Sequence, residues 1–426
     1  MTAVSDHSKT EVASHPEQSG SSFKKAPKPG TIQVGLLTGG DDKSYAYGLT
    51  DALVAQGVRV DFIGSDALDS PHLHQSDLIN FLNLRGDQNN KAGIGKKVVR
   101  IIAYYARLVK YAAVARPHIL HILWNNKFEL IDRTILMIYY RLAGKKIAFT
   151  AHNVNAAKRD SKDSWVNRAS LRFQYRIADH IFVHTRLMKD ELLADFSVPS
   201  RKVSVIPFGI NNVYPRTSIT AGAAKERLGI AAHEKVVLFF GQIAPYKGLE
   251  YLVSAMTRLN ECADIKLIIA GKVKAGYADH WAGIQRDIGL ASLENRIIEK
   301  VHYIPDEDVE LYFKAADVLA LPYTHIFQSG LPFLAYSFGL PVIASEVGSL
   351  REDVIEGRTG LISAPRDAVD LAKKIKVYFS SDLYLTLGDR RREICEFANE
   401  RYSWTKVAET TTAIYRSLLA NHHRQA

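Results

Sequence analysis

Hydrophobic and polar positions along this 426-residue chain switch between two periods. Short apolar runs read as buried strands, and segments with apolar residues every third or fourth position read as helices. From the first third onward the strand runs are Ile32–Leu37, Val58–Ile63, His118–Leu123, Ile147–Ala151, Ile181–His184 and Val203–Ile206. Between the first two, Tyr45, Leu49, Ala52 and Leu53 fall at helical spacing and Gly57 is a stop. The periodicity lapses from Asn211 to about His233 and then resumes. Val236–Phe240, Ile265–Ala270, Ile297–Tyr303 and Val318–Leu321 are predicted strands. Leu249, Leu252, Val253, Met256 and Leu259 mark one helix face, and Val309, Tyr312, Phe313 and Ala316 another. A last helix is predicted from about Trp404 to Leu418, capped by Ser403.

Strands alternating with helices predict mostly parallel sheets covered on both faces. The fold class is therefore α/β, with two doubly wound Rossmann-like domains at 31–212 and 232–395 and a linker at 213–231. In such sheets ligands sit beyond the carboxyl ends of the strands, so two of them facing each other make a binding cleft. Residues 1–30 hold Ser, Lys, Pro, His and Glu without an apolar run and read as a disordered leader on a cytoplasmic protein.

Composition narrows the picture. The length corresponds to two or three domains of roughly 100–200 residues each, which excludes a single small module. Apolar residues make up 47% and charged residues 23%, which excludes overall disorder and a polytopic membrane protein. Cys262 and Cys395 are the two cysteines and form no C-x-x-C pair, which excludes a thiolate zinc site and a disulfide framework. A surplus of 55 Lys and Arg over 45 Asp and Glu gives +10, which suits a phosphorylated small molecule, an acidic lipid surface or nucleic acid. The uncharged stretch Val318–Ser345 is long enough to cross a bilayer. Pro322, Gly330, Pro332, Gly339 and Pro341 punctuate it, so it reads as strand, loop, short helix and strand inside a domain.

Candidate chemistry lies at strand ends. After Val236–Phe240 come Gly241-Gln242-Ile243-Ala244-Pro245-Tyr246-Lys247-Gly248, a turn that leads into a helix. Lys247 adds a full charge where helix amides already favour an anion, so it fits a diphosphate; an ordinary turn lysine fits as well. After Val318–Leu321, Gln328-Ser329-Gly330-Leu331 opens a helix through Pro332. Its free amides read either as an anion site or as a plain strand-to-helix turn. In the first domain Thr38-Gly39-Gly40 is a similar turn, without the G-x-G-x-x-G spacing of a dinucleotide site. His152 follows the strand Ile147–Ala151; it reads as structural or as a group facing the cleft. On the helical segment Lys96–Val114, Lys96, Arg100, Arg107 and Lys110 recur on one side, either as a solvated face or as a surface for anionic lipid headgroups.

These residues resemble a known family. Gly241–Gly248, Asp317–Tyr323, Gly339–Ser345 and Gly357-Arg358-Thr359-Gly360-Leu361 together resemble the family-four retaining glycosyltransferases (glycosyl transferases group 1) of the GT-B fold. Ile206-Pro207-Phe208-Gly209-Ile210 resembles that family's segment before the interdomain linker. The resemblance implies transfer of a sugar from a nucleotide-sugar donor with retention at the anomeric carbon, and no metal or other cofactor. It implies a glycan, lipid-linked or small-molecule acceptor, and no nucleic acid. Lys247 and His152 become the catalytic candidates, Lys247 on the diphosphate and His152 in the sugar pocket. Gly241, Gln242, Gln328, Ser329, Gly330 and Leu331 become donor-binding candidates from the second domain, and Gly39 and Gly40 from the first. Residues 396–426 are expected to return as a helix to the first domain. A cytoplasmic enzyme, peripheral on the inner face of the membrane for a lipid-linked acceptor, follows.

The sequence departs from the family at two places. An arginine usually stands where Gln242 does, and two glutamates usually stand where counting back from Gly339 gives Ile326 and Leu334. No acidic residue occurs between Asp317 and Glu346. A degenerate relative that binds glycans or partners another transferase is the competing expectation, and a nucleic-acid binder, suggested by charge alone, the third.

Overall fold

The apolar runs assemble into two separate parallel sheets. A computed structural model describes residues 31–39, 43–88, 93–159, 163–210, 212 and 214–423. The leader expected at 1–30 and Gly40 lie outside the described residues. The first sheet contains β1 (Gln33–Leu37), β2 (Arg59–Gly64), β3 (Ile79–Asn83), β4 (Ile119–Ile122), β5 (Lys146–Thr150), β6 (His180–Val183) and β7 (Val203–Val205). Their order is β3-β2-β1-β4-β5-β6-β7. The second contains β8 (Lys235–Phe240), β9 (Ile265–Ala270), β10 (Ile297–Lys300), β11 (Val318–Leu321), β12 (Val342–Ser345) and β13 (Gly360–Ser363), ordered β10-β9-β8-β11-β12-β13. The pairings are parallel: Leu36 sits opposite Phe62, and Leu319 opposite Val342. Central strands such as β4, β6 and β11 are buried at every position. Near-continuous apolar sequence is what a strand covered on both faces requires.

Helices supply the covers. On one face of the first sheet α1 (Lys43–Ala55) packs Tyr45, Leu49 and Leu53 against Val34, Leu36 and Phe62. On the other, α2 (Ile94–Val114) brings Tyr104, Leu108 and Tyr111 onto Ile63, Leu120 and Ile122. The second sheet shares one apolar cluster with the helices Leu249–Thr257, Val309–Ala315, Leu331–Ser337 and Ala368–Phe379. The uncharged stretch from Val318 to Ser345 is β11, a turn, the Leu331–Ser337 helix and β12, all inside this cluster. Among the described residues no helix is long and apolar enough to cross a membrane.

The last helix, Trp404–His423, lies against α1. Tyr415 is fully buried there, and its hydroxyl stands 2.6 Å from Nδ1 of His121 on β4. The indole of Trp404 fills a slot between two glycines: a Cβ on Gly48 or Gly209 would fall 2.2 or 2.3 Å from it. Trp404 Nε1 donates to Ile210 O at 2.9 Å, and Ile210 N donates to Tyr402 O at 3.0 Å. Phe208, on the segment leaving the first sheet, stacks on Phe333 of the second at 5.1 Å and 18°. Both chain crossings are thus pinned at one joint beside the cleft.

Candidate active site

The carboxyl ends of β8, β9 and β11 open onto a cavity of about 810 Å³ whose opposite wall comes from α1 and the Phe208–Gly209 segment. Gly241, Gln242, Lys247, Gln328, Ser329, Gly330 and Leu331 all line it. Local sequence explains the placement. Pro245 starts a single 3-10 turn ending at Lys247, and Gly248 follows at φ 66° as the cap of the Leu249–Thr257 helix. A Cβ at Gly248 would lie 1.9 Å from the Pro322 carbonyl, so a glycine alone allows this approach.

Lys247 is 9% exposed. Its Nζ donates to the Tyr323 hydroxyl at 2.5 Å and sits 4.1 Å from that ring's centroid and 5.5 Å from the ring of Tyr246. Tyr323 is fully buried, which pushes its phenol well above the usual range, so it stays a neutral donor and acceptor. Its oxygen is 3.5 Å from Ser329 Oγ, which in turn accepts from Leu331 N at 3.3 Å. The two turns singled out in the sequence are therefore joined through Tyr323. Gln328 donates Nε2 to Asp353 Oδ2 at 3.2 Å, and Ser349 Oγ donates to the same oxygen at 3.1 Å. Complete burial pushes the Asp353 carboxyl up to about 7.

Ile326 and Leu334, which replace the glutamates usual in the family, also line the cavity and are 6% and 2% exposed. Among the described residues the carboxylates of the lining are Asp69 and Asp306, from opposite sides. Lys43 and Lys272 line it too. Lys272 had a signal in the sequence: Ala270-Gly271-Lys272 repeats at the end of β9 the strand, glycine, lysine order found after β8. Tyr303, Asp306 and Trp404 had none, because only the fold brings them to the cavity.

The first-domain expectations are met differently. Gly39 is buried in the turn after β1 at φ 46°, where a Cβ would meet the Trp124 carbonyl at 2.0 Å; it is not among the lining residues. His152 does not line the cavity either. It lies one layer behind Tyr45, ring centroids 4.6 Å apart, and stacks on Trp124 at 4.3 Å and 5°. His152 Nδ1 and His184 Nε2 are 3.0 Å apart. Burial holds both well below the usual imidazole range, His184 to about 4, so the pair is neutral at pH 7. Tyr45, Trp124, His184 and Phe208 pack around the strand-end histidine, which lies behind the cavity wall. No group of three or more His, Cys, Asp or Glu able to hold a metal occurs among the described residues.

Comparison with known proteins gives two family matches. The model described as Glycosyltransferase Family 4 matches residues 43–212, and that described as Glycosyl transferases group 1 matches residues 234–380. Similar curated proteins include the D-inositol 3-phosphate glycosyltransferases of Streptomyces avermitilis, 28% identical over 254 residues, and Corynebacterium diphtheriae, 27% over 288 residues. These matches cover 58% and 63% of this chain and span 54% and 64% of the length of those relatives. Among solved structures, sucrose-phosphate synthase from Thermosynechococcus elongatus is 22% identical with a TM-score of 0.71, covering 92% of this chain and 100% of that one. Anabaena HepE in complex with UDP-glucose is 16% identical with a TM-score of 0.70, covering 91% of this chain and 100% of that one.

Proposed function

From a chain that belongs to the group 1 glycosyl transferases and has their GT-B fold, we infer that the cleft transfers a sugar from a nucleotide-sugar donor. The observation that carries this reading is Lys247, buried at the end of β8 and tied through Tyr323 to the Ser329 turn. A lysine shielded from water interacts more strongly with a phosphate than one in solvent. Anabaena HepE, which shares the fold, is solved with UDP and with UDP-glucose, and this supports a nucleotide-sugar donor.

Breaking the bond between sugar and diphosphate builds negative charge on the departing phosphate oxygen. A fixed cation meets charge that grows only as the bond lengthens, so it lowers the barrier more than it tightens ground-state binding. Lys247 takes this role. Lys43 and Lys272 supply further positive charge at the cavity, where Gln242 brings none. A front-face route is favoured because it asks for no carboxylate nucleophile beneath the sugar. In it the departing phosphate oxygen accepts the acceptor's proton as the new glycosidic bond forms on the same face, which retains configuration. His152, behind Tyr45, holds the wall and touches no reacting atom. The acceptor is a glycan, a lipid-linked sugar or a small molecule entering from the first domain's side. The working location is the cytoplasm, at the inner membrane face for a lipid-linked acceptor.

A glycan-binding subunit without turnover is the second reading, favoured by the apolar Ile326 and Leu334 in the cavity. A thermal-shift screen of nucleoside diphosphates and their sugar conjugates, followed by donor consumption with the one that binds, separates the two. Binding with turnover is expected. Binding without donor hydrolysis or transfer supports the second reading, and no binding by any nucleotide contradicts the first.

A further inference from the structure

We propose that Asp353 is a positioning residue for the donor, one that braces the Gln328–Leu331 turn from behind and opposes the diphosphate whenever it is charged. The proposal rests on the reading of the cleft as a nucleotide-sugar site. Gln328, Ser329, Gly330 and Leu331 line the cavity, and Asp353 does not. Asp353 reaches the site through Gln328, whose Nε2 donates to its Oδ2 at 3.2 Å. Ser349 Oγ donates to the same oxygen at 3.1 Å. The backbone carries the brace further. Ser349 N donates to the Phe327 carbonyl at 3.0 Å, and Gly348 passes so close that a Cβ there would fall 1.9 Å from the Ile326 carbonyl oxygen. On the other side the Asp353 carbonyl accepts from Tyr336 OH at 3.0 Å and from Tyr402 OH at 3.2 Å. The segment Gly348–Asp353 is thus tied on both sides, with its carboxyl held against the turn.

Both side-chain hydrogen bonds end on Oδ2, so a proton on Oδ1 leaves them in place. Protonation therefore changes the charge behind the turn without releasing the turn. The groups facing the carboxyl do not cancel that charge by contact. Its own turn brings Glu352, which adds negative charge, and the end of the helix Leu387–Arg401 brings Arg401, which adds positive charge. Tyr336 and Tyr402 are held neutral by burial. With its proton held up to about 7, Asp353 changes charge around neutral pH. A diphosphate on the cavity side of the turn repels the ionised form, so binding raises the hold on the proton further. By linkage the donor then binds tighter below pH 7 and loses affinity as pH rises through it. An amide at this place would accept the same two hydrogen bonds and carry no charge, which separates the brace from the charge.

The test uses the full chain and the nucleotide sugars of the thermal-shift screen, UDP-glucose first. Each phosphate of such a donor is a diester that keeps one charge between pH 6 and pH 8, so the ligand does not titrate. Wild type is expected to bind about fivefold or more tighter at pH 6 than at pH 8. Calorimetry at pH 8 in buffers of different ionisation enthalpy should show proton uptake on binding. Asp353→Asn should bind at both pH values about as wild type does at pH 6, without proton uptake. Asp353→Ala should weaken binding at both, because Gln328 and Ser349 lose their acceptor; if it does not fold, the asparagine comparison decides alone. The His74–Asp69 pair, 2.6 Å apart on the opposite side of the cavity, is present in every variant and cancels in the comparison. Wild-type affinity that is equal at the two pH values or higher at pH 8, or the same pH dependence in Asp353→Asn, overturns the proposal and leaves the donor reading standing. No binding of any nucleotide sugar at either pH contradicts the donor reading and overturns the proposal with it.

Discussion

Asp353 is fully buried and its oxygen Oδ2 accepts from both Gln328 and Ser349. Glu352 pushes its carboxyl further up, and Arg401 pulls it down. An unfolded aspartate titrates near 3.9, whereas burial holds this one to about 7 in the fold. Between those values the folded chain keeps a proton that the unfolded chain has released, so stability falls as pH rises from about 4 to about 7 and levels off above. Asp353→Asn removes this loss. Urea midpoints at pH 5 and pH 8 should therefore shift in favour of the variant at pH 8, by on the order of 2–3 kcal/mol relative to pH 5. A variant-to-wild-type difference that is the same at both pH values would show that Asp353 is already ionised in the fold. At the same scale, the apolar Leu334 lines the cavity in place of the glutamate usual in the family, so it can accept no hydrogen bond from a ribose hydroxyl. A 2′-deoxy form of the correct donor should be used within about tenfold of the natural one, that is within about 1.4 kcal/mol of barrier. A larger loss in kcat/KM would reveal a specific ribose contact elsewhere.

Elements with a clean hydrophobic period were legible in the sequence. β9 and β11 start and end where their apolar runs do, and the last helix begins at the predicted Trp404. β3 was not legible: Ile79-Asn-Phe-Leu-Asn is an edge strand with three of its five positions only partly buried, so no apolar run marks it. β13 is four residues long and begins on Gly360 at φ 158°, an extended glycine where propensity argues against a strand. Its pairing with β12 decides the matter. The cleft was half legible for a related reason. Turns that follow a strand within one βα unit, such as Gly241–Gly248, carry a local signature, whereas Lys43, Asp306 and Trp404 meet only through topology. The last helix illustrates how such distant elements are tied. Tyr415→Phe would leave Nδ1 of the fully buried His121 without the partner 2.6 Å away. That should cost about 1–3 kcal/mol, read as a lower denaturation midpoint with an unchanged cleft. No loss would contradict a stabilising hydrogen bond between Tyr415 and His121.

On the scale of the whole molecule, two sheets contribute opposite walls to one cavity, and both chain crossings meet at Phe208, Ile210 and Trp404 beside it. Closure about that joint would shut water away from a reactive donor, and domain closure of this kind protects many transferred groups. In the proposed reaction the second domain's buried Lys247 meets the departing diphosphate. The most direct measurement of that role is kcat/KM for donor turnover, alongside the dissociation constant of the nucleoside diphosphate, in wild type and Lys247→Ala. The account predicts a loss on the order of 10²-fold or more in kcat/KM, with a smaller weakening of diphosphate binding, in a variant whose thermal unfolding stays cooperative. A folded Lys247→Ala that turns the donor over as fast as wild type would contradict it.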